Sequence, residues 1–201
     1  MASVLSAGIT AHPVSDPARL LEESGALLYG DFTLASGKKS EYYFDSKKLT
    51  LYPPGASFVA AQLVSKLDAE GIRNVGGVAY GAIPIVSHVA LFSELRVGDP
   101  IRAFYHRKEA KEHGTGSAAE GQFPAPNEPV AIVEDVVTTG DSLLRAIRLA
   151  EEDGCNVTHA ITLVDRDEGG REKVEAAGYK FWSLFRVERT DGAVRLAFNG
   201  G

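Results

Sequence analysis

Val130-Ala131-Ile132-Val133-Glu134-Asp135-Val136-Val137-Thr138-Thr139-Gly140-Asp141-Ser142 decides how the rest of the chain is read. Four apolar residues bounded by Pro129 suit a parallel strand covered on both faces, running over 130 to 134. Beyond it, Leu143, Leu144, Ile147 and Leu149 keep the spacing of a helix from Ser142 to Asp153. The loop therefore sits at a strand-to-helix turn. There the backbone N–H groups of Thr139 to Ser142 are expected to be unpaired, the helix dipole favours an anion, and Gly140 lets a phosphate approach the main chain. Glu134 and Asp135 would repel a bare phosphate, so their company implies sugar hydroxyls, a metal ion or positive charge developing on a substrate. An acidic pair beside a phosphate loop points to a sugar phosphate. The stretch lacks the glycine and lysine order of a P-loop and the three-glycine order of a dinucleotide site.

Working outward, strands and helices alternate. Ser15-Asp16-Pro17 opens a helix that Gly25 ends, with Leu20, Leu21 and Ser24 on one face. Asp31 to Ala35 and Tyr42 to Asp45 read as two strands joined by the turn Ser36 to Ser40. A helix from about Gly55 to Asp68, a strand Val75 to Ala79, a helix Ile83 to Leu95 and a strand Ile101 to Tyr105 precede the central stretch. Strands Val157 to Leu163 and Lys180 to Phe185 follow it, and Asp191-Gly192 reads as a hairpin turn. The series predicts an α/β fold with a central, mostly parallel sheet flanked by helices.

The chain has 201 residues, 44% hydrophobic and 24% charged, with a net charge of −6, enough for one α/β domain with a sizeable core. The acidic balance argues against a general nucleic-acid binder. The apolar runs are far short of a membrane span, and Met1 to Ile9 has neither a basic start nor a long apolar segment, so the expectation is a cytoplasmic protein. The single cysteine, Cys155, lies in the turn Asp153 to Asn156 without a partner for a disulfide or a zinc site, and reads as a small semi-buried residue.

The 130–142 stretch resembles the phosphoribosyl diphosphate (PRPP) signature of the type I phosphoribosyltransferases, in which four apolar residues precede two acidic ones and a Thr/Gly/Ser-rich loop. Arg107-Lys108-Glu109-Ala110-Lys111-Glu112-His113-Gly114 is similar to the lid loop of one branch, the orotate phosphoribosyltransferases. By composition alone this stretch is equally a solvated charged loop. Phe32 to Asp45, with its Ser-Gly-x-x-Ser turn and the aromatic pair Tyr43 and Phe44, is similar to the N-terminal hood of that branch. Leu163 to Gly170 ends a strand with Arg166 at its carboxyl edge, the side where open α/β sheets bind ligands. The similarity spans roughly residues 26 to 170.

The resemblance implies a small hood, roughly residues 1–52 plus part of the C-terminus, on a core of roughly 53–185. It implies transfer of the phosphoribosyl group from PRPP to orotate, giving orotidine 5′-monophosphate and diphosphate in pyrimidine (UMP) biosynthesis. Mg²⁺ would be held through PRPP and not by protein ligands. PRPP would be contacted by Arg107, Lys108, Lys111 and His113 of the lid, and by Glu134, Asp135 and the run Val136, Val137, Thr138, Thr139, Gly140, Asp141 and Ser142. Tyr80 and Gly81 would join them. Lys111, His113 and Asp135 would be catalytic, and Tyr43, Phe44, Thr138 and Arg166 would contact orotate. A homodimer is expected, with the 107–121 loop completing the neighbouring site.

The chain departs from the pattern at two places. Many bacterial members carry a lysine where this chain has Leu28, and another where it has Gly81. Lys38, Lys47 and Lys48 are candidates for the replacement charge, and a glycine at 81 would offer backbone N–H groups to a diphosphate. Two alternatives stand beside this reading. A transferase for another base would keep residues 130–142 without needing Arg166 or the hood, and a PRPP-sensing regulator would bind without catalysis.

Overall fold

The computed structural model describes residues 14, 16–33, 37, 39–96, 99–107, 119–190 and 193–199. Fifteen elements follow in the order α1 (Pro17–Ser24), β1 (Leu27–Thr33), β2 (Lys39–Phe44), α2 (Ser46–Thr50), α3 (Pro53–Ala69), β3 (Asn74–Gly77), α4 (Ala82–Leu95), β4 (Arg102–His106), β5 (Ala119–Gly121), β6 (Pro129–Val137), α5 (Asp141–Glu152), β7 (Asn156–Asp165), α6 (Gly170–Ala176), β8 (Lys180–Thr190) and β9 (Ala193–Phe198). Seven strands form one sheet in the order β5-β4-β3-β6-β7-β8-β9. Its inner pairs are parallel, while β5 and β9 add antiparallel edges. The expected α/β class with a mostly parallel sheet is what the chain adopts.

The apolar run at the start of β6 explains the layering. Val130 and Ile132 pack in one cluster with Leu143 and Ile147 of α5, while Ala131 and Val133 pack in the other with Leu63 of α3 and Ile85 of α4. All four run residues are no more than 1% exposed, so both faces of the strand are covered by helices. Burial of each valine or isoleucine side chain among them stabilises the fold by roughly 1.5–3 kcal/mol. Helix α1 starts and stops where its sequence says. Asp16 accepts hydrogen bonds from the N–H groups of Ala18 and Arg19, and Gly25 closes the helix at φ 65°.

β1 and β2 form a separate antiparallel ribbon, with Leu28 opposite Tyr43. This ribbon is not a detached body. Leu20, Leu21, Tyr42 and Phe44 share a core cluster with Phe185 and Leu196 of the main sheet.

Several boundaries differ from the sequence expectation. β6 continues to Val137, pairing Val136 with Val164 and Val137 with Asp165, so Glu134 and Asp135 are strand residues and do not follow its end. Two more β-branched residues extend the strand past the carboxylates. β1 starts at Leu27 and β2 at Lys39, so both reach further back than expected. Three short elements carry too little periodicity to be read beforehand. These are α2, started by an Asp45 cap on the Lys47 N–H, the ribbon strand β5, and α6, which buries Val174. The Asp191-Gly192 turn lies outside the described residues, although β8 and β9 on either side of it pair as a hairpin predicts.

Candidate active site

The chain reverses its direction of strand addition at β3, which has β4 on one side and β6 on the other. Loops leaving the carboxyl ends of such strands diverge and leave a crevice. Here it is a cavity of about 960 Å³ lined by Lys47, Val78 to Gly81, Arg107, Glu134, Asp135, Ser142, Arg145 and Leu149. The peptide between Ala79 and Tyr80 is cis.

Asp135 is the hinge of this cavity. One carboxylate oxygen accepts a 2.6 Å hydrogen bond from Ser46 Oγ at the start of α2, and the other accepts one from the Val136 N–H at 3.0 Å. Across the crevice a Cβ at Gly81 would stand 2.8–2.9 Å from the same carboxyl group. Glycine at 81 thus has a steric reason beyond the backbone donors expected of it. It lets β3 and β6 carry their loops this close. Lys47, one residue beyond Ser46, pairs with Asp45 at 3.2 Å. That bond, with the Asp135 charge adding to it, holds its ammonium pKa above the ordinary lysine value.

The turn from β6 into α5 is Thr138 to Gly140, shorter than a strand ending at 134 and a helix starting at Ser142 would leave, because β6 runs on to Val137 and α5 already begins at Asp141. Gly140 takes φ 80° and its Cβ position lies 2.9 Å from the Gly170 carbonyl oxygen, so the turn packs on the start of α6. Asp141 accepts a 2.8 Å bond from Thr139 Oγ1 and is paired with Lys173 Nζ. Lys173 and then Thr139 hold its carboxyl pKa below the usual carboxylate range. A lysine from α6 thus offsets the negative charge that Asp141 brings to this turn. Val136 and Val137 turn their side chains into the two core clusters, leaving only their backbone for a ligand.

A second cavity, about 850 Å³, lies between the hood and the ends of β7 to β9, lined by Phe32, Lys39, Ser40, Tyr42, Arg166, Glu168 and Arg189 among others. Arg166 is 6% exposed, and its backbone N–H donates to the Val137 carbonyl at 2.9 Å, tying it to the phosphate strand. Its guanidinium donates to Glu168 and to Ser40 Oγ.

Strand alternation separates the expected aromatic pair. Phe44 faces the core at 7% exposed, whereas Tyr43 is 41% exposed and packs on Phe32 with ring centroids 5.7 Å apart. The two cannot face one flat ring together, since successive strand residues point to opposite sides. Phe32 and Tyr42 are the aromatics that line the second cavity. Arg107 lines the first cavity and pairs with Glu120 of β5. Lys108, Lys111 and His113 lie outside the described residues, as does Lys38. Lys48 is turned toward Gly25, away from the cavity that Lys47 reaches. Tyr80 stands on the cavity rim, 76% exposed.

Sequence reasoning missed Ser46, Tyr42, Arg145 and Lys173. Arg145 was findable, because it lies three residues after Ser142 on the same helix face. Tyr42 was findable from its parity with Phe44. Ser46 carries no local sign, being 89 residues from its partner Asp135.

The family model described as "Phosphoribosyl transferase domain" matches residues 54–185. An orotate phosphoribosyltransferase of Bradyrhizobium sp. strain BTAi1 is 40% identical over 161 residues, 79% of this chain and 86% of that protein. The chain belongs to the orotate phosphoribosyltransferases. Solved members share the fold. The orotate phosphoribosyltransferase of Aeropyrum pernix superposes with a TM-score of 0.68 at 35% identity, covering 83% of this chain and 90% of that one. That of Mycobacterium tuberculosis H37Rv in complex with PRPP gives 0.67 at 30% identity, covering 83% and 93%. Orotate phosphoribosyltransferases are pentosyltransferases, and the two cavities on this chain's sheet edge are where such a transfer has room to occur. Among the described residues, no helix is long and apolar enough to cross a membrane, and the buried Cys155 thiol is pushed up to about 11 by burial, far from a reactive thiolate.

Proposed function

We propose that the chain catalyses Mg²⁺-dependent transfer of the phosphoribosyl group from PRPP to orotate, giving orotidine 5′-monophosphate and diphosphate. The observation that carries this reading is the continuity of β6. One strand edge presents the acidic pair, the phosphate turn and, through the Val137 carbonyl, Arg166.

PRPP occupies the first cavity. The unpaired N–H groups at the start of α5, with Thr138 and Thr139, take the 5′-phosphate. Glu134 and Asp135 hold the ribose hydroxyls and stabilise positive charge as the bond from C1 to diphosphate breaks. Backbone N–H groups near Tyr80 and Gly81, with Arg107, Lys47 and the lid residues Lys108, Lys111 and His113, receive the diphosphate. His113 donates a proton or hydrogen bond to it as it departs. Among the described residues, no group of three or more His, Cys, Asp or Glu side chains is placed around a metal ion. Oxygens of PRPP with water make a donor set that suits magnesium, so the ion would be held through the substrate and when bound would offset charge on the diphosphate.

Orotate lies in the second cavity, its carboxylate on Arg166 and its ring beside Thr138. A ring nitrogen attacks C1 from the hood side. Tyr43 is available at the hood surface, and Phe44, turned into the core, anchors the strand that carries it. The hood, roughly 1–52 with part of the C-terminus, and the core, roughly 53–185, act as acceptor and donor halves. A second copy of the chain brings its 107–121 loop over the neighbouring site. The enzyme serves UMP synthesis in the cytoplasm.

Product analysis with orotate, uracil and hypoxanthine in turn, each with PRPP and Mg²⁺, tests the acceptor. Nucleotide should form from orotate at least about a hundredfold faster than from uracil, since a site built for a charged group rejects the analogue lacking it. Faster conversion of another base, or PRPP binding without any conversion, would overturn the reading.

A further inference from the structure

We propose that Tyr42 is the positioning residue that fixes the Arg166 guanidinium for carboxylate recognition, with Ser40 as its partner. The inference rests on Arg166 reading the orotate carboxylate and adds how the arginine is made ready.

Arg166 is held on its face and on its edge. Its guanidinium carbon lies 4.4 Å from the centroid of the Tyr42 ring. Nε donates to Glu168 Oε1 at 3.3 Å and one Nη2 hydrogen donates to Ser40 Oγ at 3.1 Å. Ser40 Oγ in turn donates to the Tyr42 carbonyl at 2.7 Å, which aims its lone pairs at the arginine. Ser40 and Tyr42 are two residues apart on β2 and so share a face. A guanidinium carries five N–H groups, and these contacts use two. The remainder includes both on Nη1, which leaves a fork for a carboxylate.

The Tyr42 ring is itself enclosed by the core. It is 1% exposed, and its hydroxyl is buried without a hydrogen-bond partner among the described residues. The ring face, not the hydroxyl, is what the arginine uses, and a buried hydroxyl left unpaired contributes nothing that phenylalanine would lose. A cation over a desolvated aromatic face is held in place before the substrate arrives, so its ordering is not charged against orotate binding. The PRPP cavity hangs on a different hood contact, Ser46 to Asp135. Loss of the Tyr42 ring should therefore weaken orotate and spare PRPP.

Initial-rate kinetics with each substrate varied separately test this in the wild type, Tyr42→Leu, Tyr42→Phe, Arg166→Met and the Tyr42→Leu/Arg166→Met double variant. Tyr42→Leu should raise the orotate KM about tenfold, the size of a desolvated cation–π contact, and leave the PRPP KM within about twofold. Tyr42→Phe should return the orotate KM to within about threefold of wild type. In the Arg166→Met background, Tyr42→Leu should add less than about twofold, because its route of action is gone. An unchanged orotate KM in Tyr42→Leu, equal rises in both KM values, or an undiminished effect in the double variant would each overturn the inference. If Arg166→Met itself leaves the orotate KM unchanged, the carboxylate reading fails instead, and this inference with it. Should Tyr42→Leu show no folding transition, Ser40→Ala carries the test, with an expected rise of about threefold in orotate KM that vanishes beside Arg166→Met.

Discussion

The two edges of the central sheet use their charges in opposite ways. At the amino edge, where the parallel strands begin, charged groups close on one another. Glu70 at the end of α3 pairs with Lys66, with Lys180 of β8 at 3.1 Å and with His159 of β7 at 3.2 Å. Glu128 ahead of β6 accepts from Arg102, Asn74 and the Ala125 N–H. At the carboxyl edge, charges border cavities of about 960 and 850 Å³, and the pairs made there, such as Lys47 with Asp45, Arg107 with Glu120 and Arg166 with Glu168, stand in the cavity walls. Arg145 and Arg189 line these with no ion pair among the described residues. Ion pairs at the amino edge set strand position, whereas the arginines that face open volume at the carboxyl edge are the ones available to the proposed substrates. The comparison predicts that variants at the carboxyl edge lose rate and keep stability, while those at the amino edge do the reverse.

The sharpest break should come at Asp135. Asp135→Asn keeps a group that can bond Ser46 but removes the charge proposed to face the ribose, so kcat should fall by at least about a hundredfold with the melting temperature nearly unchanged. A fall in stability matching the fall in rate would place Asp135 with the structural charges. Lys111→Ala, in the lid, should lower kcat about thirtyfold without altering the melting curve, and a near-normal rate would remove the lid assignment. Gly81→Ala is a steric probe. Its methyl group would press on the Asp135 carboxyl, and kcat/KM for PRPP should drop about tenfold as the acid is displaced. Lys47→Ala should raise the PRPP KM only about threefold, since the ammonium is partly committed to Asp45, and an unchanged KM would exclude it as replacement charge.

The amino edge offers the smallest effect and the opposite sign. Three donors hold the Glu70 carboxyl pKa at about 2, with Lys66 contributing most. A carboxyl with a depressed folded value stabilises the fold above its unfolded pKa, and the contribution is lost as pH falls through the folded one. Glu70→Gln should therefore cost no more than about 1 kcal/mol above about pH 4.5, with the difference vanishing as pH falls toward about 2, and should leave orotate kinetics untouched. Denaturant unfolding of both proteins across that range checks it.

Legibility in the sequence follows the same division. The strand at Val130 to Val133 was readable because burial on both faces demands an apolar run, and the turn after it because phosphate chemistry demands glycine and hydroxyls in sequence. The layers of helix around the sheet followed. Contacts made between distant segments were not readable. Nothing near Ser46 announces Asp135, and nothing in the Gly-rich, charged stretch around Gly170 announces that α6 would send Lys173 to Asp141. The aromatic pair Tyr43 and Phe44 shows how a motif can be seen and its facing missed, since alternation sends Phe44 inward and brings Tyr42 under Arg166. The extent of β6 was also underestimated, because carboxylates inside a strand look like its end until their partners on β7 are known.

Transfer of the phosphoribosyl group to orotate can be measured directly. Wild-type protein mixed with PRPP, Mg²⁺ and orotate should release one diphosphate for each orotate consumed, with neither event when any one of the three is withheld. Diphosphate release that proceeds without loss of orotate, or orotate left intact in the complete mixture, would contradict it.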